Sequence, residues 1–127
     1  MEVNIFYFFP KIQIVYGYVA TDYGNRNINL VKAYIDKYYN SGYYLDTGFD
    51  IDGIFLDEMS ADGASISYYQ EIQEYIEAKN STAKIIGNMG ISPIDEITIQ
   101  EDVNVADTLV TFENTGEVYR NEYTAPS

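Results

Sequence analysis

The sequence predicts an α/β domain of about four parallel β/α units, and two features of its 127 residues lead to it. Short runs of β-branched and aromatic residues alternate with stretches in which apolar residues recur at helical spacing. The four runs end at Val19, Asp57, Asn88 and Glu113, at intervals of 38, 31 and 25 residues. Such spacing is typical of parallel strands joined by helical crossovers. An open doubly wound sheet and part of a (β/α)₈ barrel both satisfy it.

The first unit begins with residues 12–19, which are nearly all β-branched or aromatic and therefore indicate a strand buried on both faces. A loop follows, and a helix is predicted from Asn27, a residue type that favours the N-cap. Apolar residues recur in it up to Tyr38, and residues 40–42 end it.

The later units follow the same pattern. Strands are predicted at 51–58, 84–88 and 108–113, and helices at 65–79 and from Ser92-Pro93, where proline suits the first turn. Residues 115–127 are expected to form a polar tail with one helical turn. No GxGxxG or GxxxxGK loop follows any strand, which disfavours the nucleotide-binding version of the fold.

The composition excludes several classes of function. The chain has no Cys and no His, so thiol nucleophiles, Ser-His-Asp triads and His- or Cys-ligated metals are excluded, and no cofactor is expected. A net charge of −13 disfavours nucleic acid and anionic membranes as partners. The start, Met1-Glu2-Val3-Asn4, shows no signal peptide, and the compartment stays open.

Polar side chains follow each predicted strand, at the edge where α/β proteins place their sites. Three carboxylates, a guanidinium, an amide, a threonine and two phenols are expected there: Tyr18, Thr21, Tyr23, Arg26, Asp57, Glu58, Asn88 and Glu113. The simpler alternatives are that strands merely end in polar residues, that Arg26 pairs with an acid, and that Asn88 ties down its turn.

The acids at the second and fourth strand ends predict paired-carboxylate chemistry. Neighbouring strands lie about 4.8 Å apart, so these ends, two strands apart, lie about 10 Å from each other. Inclined side chains would bring the carboxyls of Asp57 or Glu58 and of Glu113 to about 5–9 Å, which is the separation that glycoside hydrolysis uses. That chemistry needs no His or Cys.

A calcium site is the metal alternative, since aspartates stand at 50, 52, 57 and 62. They lack the D-x-D-x-D-G spacing and the distal glutamate of a calcium loop, so no metal site is predicted.

Four blocks of the chain resemble the spherulin-4 family (spherulation-specific family 4). The pattern GYVxTxYGxR … GIFLDE … GNxG … AD … FE runs from about residue 14 to 114. At the variable position of the third block, Met89 stands where the family carries Pro. The resemblance implies a TIM-barrel glycoside hydrolase that cleaves α-1,4-linked, galactosamine-containing exopolysaccharide of biofilms and cell walls. It implies that Asp57, Glu58 and Glu113 are the catalytic and substrate-contacting carboxylates.

The same resemblance assigns the pocket lining to the matching blocks. Tyr18, Thr21, Tyr23, Arg26 and Asn88 are therefore expected to contact the substrate. A polysaccharide is the expected partner, and the excess of acids favours a cationic one.

The length departs from the family. A complete (β/α)₈ barrel takes about 250 residues, so residues 1–127 are expected to form a single incomplete domain, with the motifs in 12–114 and a polar tail in 115–127. Residues 3–9 would be a strand remnant. Open sheet edges would favour self-association. The alternative function is a non-catalytic carbohydrate-binding or vestigial fragment.

Overall fold

The computed structural model describes residues 14–39, 51–91 and 104–124, which form a four-stranded sheet with helices between and after its strands. The order along the chain is β1 (Tyr16–Ala20), α1 (Ile28–Tyr39), β2 (Gly53–Asp57), α2 (Ile66–Lys79), β3 (Lys84–Asn88), β4 (Thr108–Val110) and α3 (Gly116–Asn121). Short 3₁₀ turns at Asp22–Gly24 and Gly63–Ser65 precede the first two helices. The predicted remnant at 3–9 and the helix from Ser92 lie outside the described residues.

All described strand pairs are parallel, and the strands lie in the order in which the chain makes them, β1-β2-β3-β4. The predicted α/β class with parallel strands is therefore confirmed. Of the described strands, β1 and β4 form the two edges. No helix among these residues is long and apolar enough to cross a bilayer.

The helices begin and pack as their sequence pattern predicts. The Asn27 side chain accepts a hydrogen bond from the Asn29 amide at 2.9 Å, so it caps α1. The apolar stripes of α1 and α2 are buried in one core with residues of β2 and β3, and that core contains Val31, Ile35, Ile54, Leu56, Ile72, Ile76 and Ile85.

One face of the sheet carries this core, and the other face is more open. A Cβ atom at Gly17 would lie 2.8 Å from the Tyr38 ring, so α1 packs directly on β1 there. On the opposite face, Tyr18 remains 54% exposed. The expectation that β1 is buried on both faces is therefore wrong, because the helices of the described chain cover only one of them.

The fourth strand is shorter than predicted, ending at Val110 instead of residue 113. The amides of Met89 and Gly90 both donate to the Val110 carbonyl, at 3.1 and 3.3 Å. Gly90 has a φ of +68°, so β3 turns away and leaves the residues after Val110 without a strand to pair with.

Candidate active site

The strand register places Asp57 and Asn88 side by side. Ala20 is paired with Asp57, and Leu56 with Gly87, so the next residues of β2 and β3, Asp57 and Asn88, are neighbours at the carboxyl ends of their strands. Side chains alternate between the two faces of a strand. Because Leu56 and Gly87 lie on the helix-covered face, Asp57 and Asn88 lie on the open one. We call this end of the sheet the carboxyl edge.

The Asn88 side chain joins two carboxylates. Its Nδ2 donates to Asp57 Oδ1 at 2.9 Å and to Glu113 Oε2 at 2.8 Å, so these two oxygens lie within about 6 Å of each other. Its Oδ1 accepts the Gly90 amide at 3.0 Å. Asn88 is only 8% exposed, and all these bonds fix its amide group. It therefore ties down its turn and also holds both acids.

Gly90 positions Glu113 although Glu113 lies beyond the end of β4. The Glu113 amide donates to the Gly90 carbonyl at 3.2 Å. A Cβ atom at Gly90 would lie 3.9 Å from Glu113 Oε2, and the φ of +68° disfavours any side chain there. Gly90 of the GNxG block thus supports the backbone of Glu113 in the FE block.

Tyr18 provides the second donor to Asp57. Its hydroxyl donates to Asp57 Oδ2 at 2.7 Å, and its ring stacks near Phe55 with centroids 6.3 Å apart. The hydrogen bond to Asp57 raises the pKa of Tyr18 to about 12, with smaller contributions from desolvation and from the charges of Asp57 and Glu58. The phenol therefore stays protonated at neutral pH, and both Asp57 oxygens are hydrogen-bonded.

Glu58 continues from Asp57 in an uncommon backbone conformation. Its φ of +51° lies in the left-handed region, which few residues other than glycine adopt. Its charge contributes to the raised pKa of Tyr18, so it acts at the same edge. The loop after β1 supports it, because the Tyr23 amide donates to the Glu58 carbonyl at 2.7 Å.

The loop residues that the sequence assigns to the substrate are placed differently from one another. The Tyr23 side chain is 57% exposed. The Arg26 guanidinium lies over the Tyr34 ring, 5.8 Å from its centroid, and its charge acts on Tyr18. Thr21 is fully buried, and its hydroxyl bonds the Glu58 carbonyl at 2.8 Å.

An open cleft of about 410 Å³ adjoins Glu113. Phe112 and Tyr123 line it, with ring centroids 4.9 Å apart, and the Tyr123 hydroxyl lies 2.7 Å from Thr111 Oγ1. Glu122 lines it too, and none of the described residues around it is Lys or Arg. The sequence does not reveal this cleft, because Phe112 belongs to the predicted fourth strand and Tyr123 to the predicted polar tail.

Two further aspartates, of which only Asp52 is among the candidates for a calcium site, lie at the opposite, amino edge of the sheet. Asp52 Oδ2 accepts the Val15 amide at 2.7 Å, and Asp107 Oδ2 accepts the Ile85 amide at 2.9 Å. Asp62 caps the Gly63–Ser65 turn, where it accepts the Ala64 amide at 3.0 Å. In the described parts of the chain, which exclude Asp50, no three acids form a group that could hold a metal ion.

Comparison with known proteins identifies relatives of this chain. The sequence profile of the spherulation-specific family 4 matches residues 4–127. Spherulin-4 of Physarum polycephalum is 36% identical over 107 residues, which are 84% of this chain. The same alignment covers 29% of spherulin-4, so the chain spans less than a third of that relative's length. No solved structure matches the chain.

Proposed function

This chain belongs to the spherulation-specific family 4, and on that premise we propose that it carries the catalytic carboxylates of a glycoside hydrolase. The substrate is a galactosamine-containing polysaccharide, cleaved within the chain at α-1,4 linkages. The reaction needs one carboxyl that protonates the leaving oxygen and one carboxylate that acts as base or nucleophile. Asp57 or Glu58 supplies one of these groups and Glu113 supplies the other.

The observation that carries this proposal is the shared amide of Asn88. It holds one oxygen of Asp57 and one of Glu113 within about 6 Å, close enough for both carboxyls to act on a single glycosidic bond. Groups fixed by hydrogen bonds before the substrate binds need no reordering during the reaction. Tyr18 adds to this rigidity through its 2.7 Å bond to Asp57.

The surroundings of the pair support a polymeric carbohydrate. The cleft beside Glu113 has a volume within the range of ordinary ligand sites, about 300–1,000 Å³, and its aromatic walls suit the apolar face of a sugar ring. Tyr18 and Tyr23 expose further aromatic surface at the same edge. The net charge of −13 favours a substrate with protonated amino groups.

The strand order supports assignment of this sheet to part of a (β/α)₈ barrel. In a barrel the strands follow one another in chain order and the helices lie outside, whereas a doubly wound sheet reverses its order and carries helices on both faces. Here the order is sequential, and the core lies on one face. The open face, with Tyr18 and Asp57, would then face the barrel interior.

A second candidate is a carbohydrate-binding fragment without turnover. It is favoured by the described sheet, whose four strands supply only half of a barrel wall. The edge strands of the described sheet, β1 and β4, would also allow two copies to pair.

The deciding experiment incubates the protein with partially deacetylated galactosaminogalactan and measures reducing ends. We expect release by the wild type and a loss of about 10²–10⁴-fold in Asp57→Asn and in Glu113→Gln. Glu117→Gln removes an equal charge from α3, outside the cleft, and is expected to keep the activity. Binding without release by the wild type would favour the second candidate.

A further inference from the structure

The segment from Asp57 to Ser60 carries two of the three acids of the site. Its backbone is strained at Glu58, the first residue after β2. Glu58 has a φ of +51°, a strained region that a residue with a Cβ atom keeps only where its surroundings impose it. Something must therefore hold this backbone in place.

Other elements bond every residue of this segment through its backbone. The bonds are Thr21 N to Asp57 O at 3.0 Å, Tyr23 N to Glu58 O at 2.7 Å, Met59 N to Asn88 O at 2.8 Å and Ser60 N to Tyr69 Oη at 2.7 Å. Three of these partners come from the carboxyl edge itself, and only Tyr69 comes from a helix of the core.

Thr21 and Tyr69, the hydroxyl pair, connect the two ends of the segment. Their oxygens lie 3.0 Å apart, and both residues are at most 1% exposed. The Thr21 hydroxyl donates to the Glu58 carbonyl at 2.8 Å, with the Asp57 carbonyl 3.3 Å away, so its one proton is used on these carbonyls. The Tyr69 hydroxyl must then donate to Thr21 while its oxygen accepts the Ser60 amide.

These hydrogen bonds therefore form a series in one direction: the Ser60 amide donates to Tyr69, Tyr69 donates to Thr21, and Thr21 donates to the Glu58 carbonyl. A buried chain in which every donor has an acceptor stiffens its surroundings, and the loss of one member leaves the others unsatisfied. This series of hydrogen bonds thus connects the backbone on both sides of Met59 and holds Glu58, whose conformation is strained.

We propose that Thr21 and Tyr69 are positioning residues that fix the direction in which Glu58 leaves β2. Neither touches the substrate, since both are buried; each acts through the Glu58 backbone. The role of Thr21 is then indirect, in place of the substrate contact that the sequence suggests. The proposal rests on the proposed function, in which Glu58 belongs to the acidic site.

Four variants test the hydroxyl pair through turnover. Tyr69→Phe and Thr21→Val remove one hydroxyl each with little change in shape, and we expect kcat on galactosaminogalactan to fall about 10-fold with KM within about twofold. Thr21→Ser keeps the hydroxyl and is expected to restore kcat. Tyr75→Phe is the matched control, because it removes a hydroxyl from the same helix. That hydroxyl donates to Asp36 at 2.7 Å and does not bond the segment from Asp57 to Ser60.

Hydrogen exchange provides a second readout that needs no catalysis. In Tyr69→Phe we expect the Ser60 amide to exchange at least about 10-fold faster, with the Ile54 amide of β2 unchanged. An inactive wild type would overturn the proposed function, while this readout would still show whether the pair holds Glu58. Unchanged exchange in Tyr69→Phe, or faster exchange with unchanged kcat in an active protein, would overturn the positioning role.

Discussion

The two edges of the same sheet use acidic side chains in different ways. At the amino edge, Asp52 and Asp107 accept backbone amides from neighbouring segments, at 2.7 and 2.9 Å. At the carboxyl edge, Asp57 and Glu113 are held by the side chains of Tyr18 and Asn88 instead. An acid bonded to a backbone amide fixes the sheet, whereas an acid held by neighbouring side chains in an open face is available to a ligand.

The largest expected effect is at the centre of the carboxyl edge. In Asn88→Ala the two carboxylates lose their shared donor and repel each other, so we expect hydrolysis to fall about 10²–10³-fold. Asn80→Ala is the control at the other edge, where the side chain accepts two hydrogen bonds from Thr82, two residues away. Reducing-end release at matched folded fractions checks both variants. Equal activity in the two would refute the distinction between the edges.

Much of this difference between the edges follows from the sequence. Asp57 stands directly after an apolar run and Asp107 directly before one. In a parallel sheet all strands begin at one edge and end at the other, so the two aspartates lie at opposite edges. Helical periodicity likewise fixes which side of α1 and α2 is buried. These patterns are local, so a single sequence displays them.

The remainder depends on contacts between distant segments. Tyr69 reads as one more apolar residue on the α2 stripe, and only its position beside Thr21 gives its hydroxyl a role. Asn88 shows no sign in the sequence that it will bond two acids at once. The early end of β4 depends on the turn at Gly90, which removes its partner strand. Spacing along a chain carries none of this information.

The second prediction concerns stability at the amino edge. Asp107→Asn weakens the bond to the Ile85 amide, and we expect it to lower the free energy of unfolding by about 1 kcal/mol, measured by urea denaturation at pH 7. Lys84→Gln removes an exposed ion pair and should lower the free energy of unfolding less than Asp107→Asn does. A larger loss in Lys84→Gln than in Asp107→Asn would show that the ion pair, and not the amide, is what matters.

The same aspartate predicts a pH dependence. The Ile85 amide lowers the pKa of Asp107 below its ordinary value of 3.8. A group whose pKa is depressed by folding stabilises the protein above the unfolded pKa, and that contribution is lost as the pH falls through the folded value. The free energy of unfolding should therefore decline below about pH 4, and less steeply in Asp107→Asn. Identical slopes in the two proteins would contradict this.

Tyr18 predicts the opposite dependence at the carboxyl edge. Its bond to Asp57 raises its pKa from 10.0 to about 12, so its stabilising contribution is complete below pH 10 and is lost as the pH rises through the folded value. Subtraction of the Tyr18→Phe phenolate absorbance from that of the wild type should leave one group that titrates near pH 12. A midpoint near 10 would show that the Asp57 bond is absent in solution.

The smallest expected effect distinguishes the charge of the whole acidic surface from the charge of one side chain in the cleft beside Glu113. Glu122 lines the cleft and Glu117 does not, although both lie within a few residues of each other on or beside α3. We expect Glu122→Gln to weaken the binding of α-1,4-linked galactosamine oligomers about twofold to fivefold, because an exposed ion pair contributes up to about 1 kcal/mol. Fully N-acetylated oligomers carry no ammonium group and should bind both variants equally. If Glu117→Gln weakens binding of the cationic oligomers as much, the acidic surface as a whole attracts them, and the cleft does not select them.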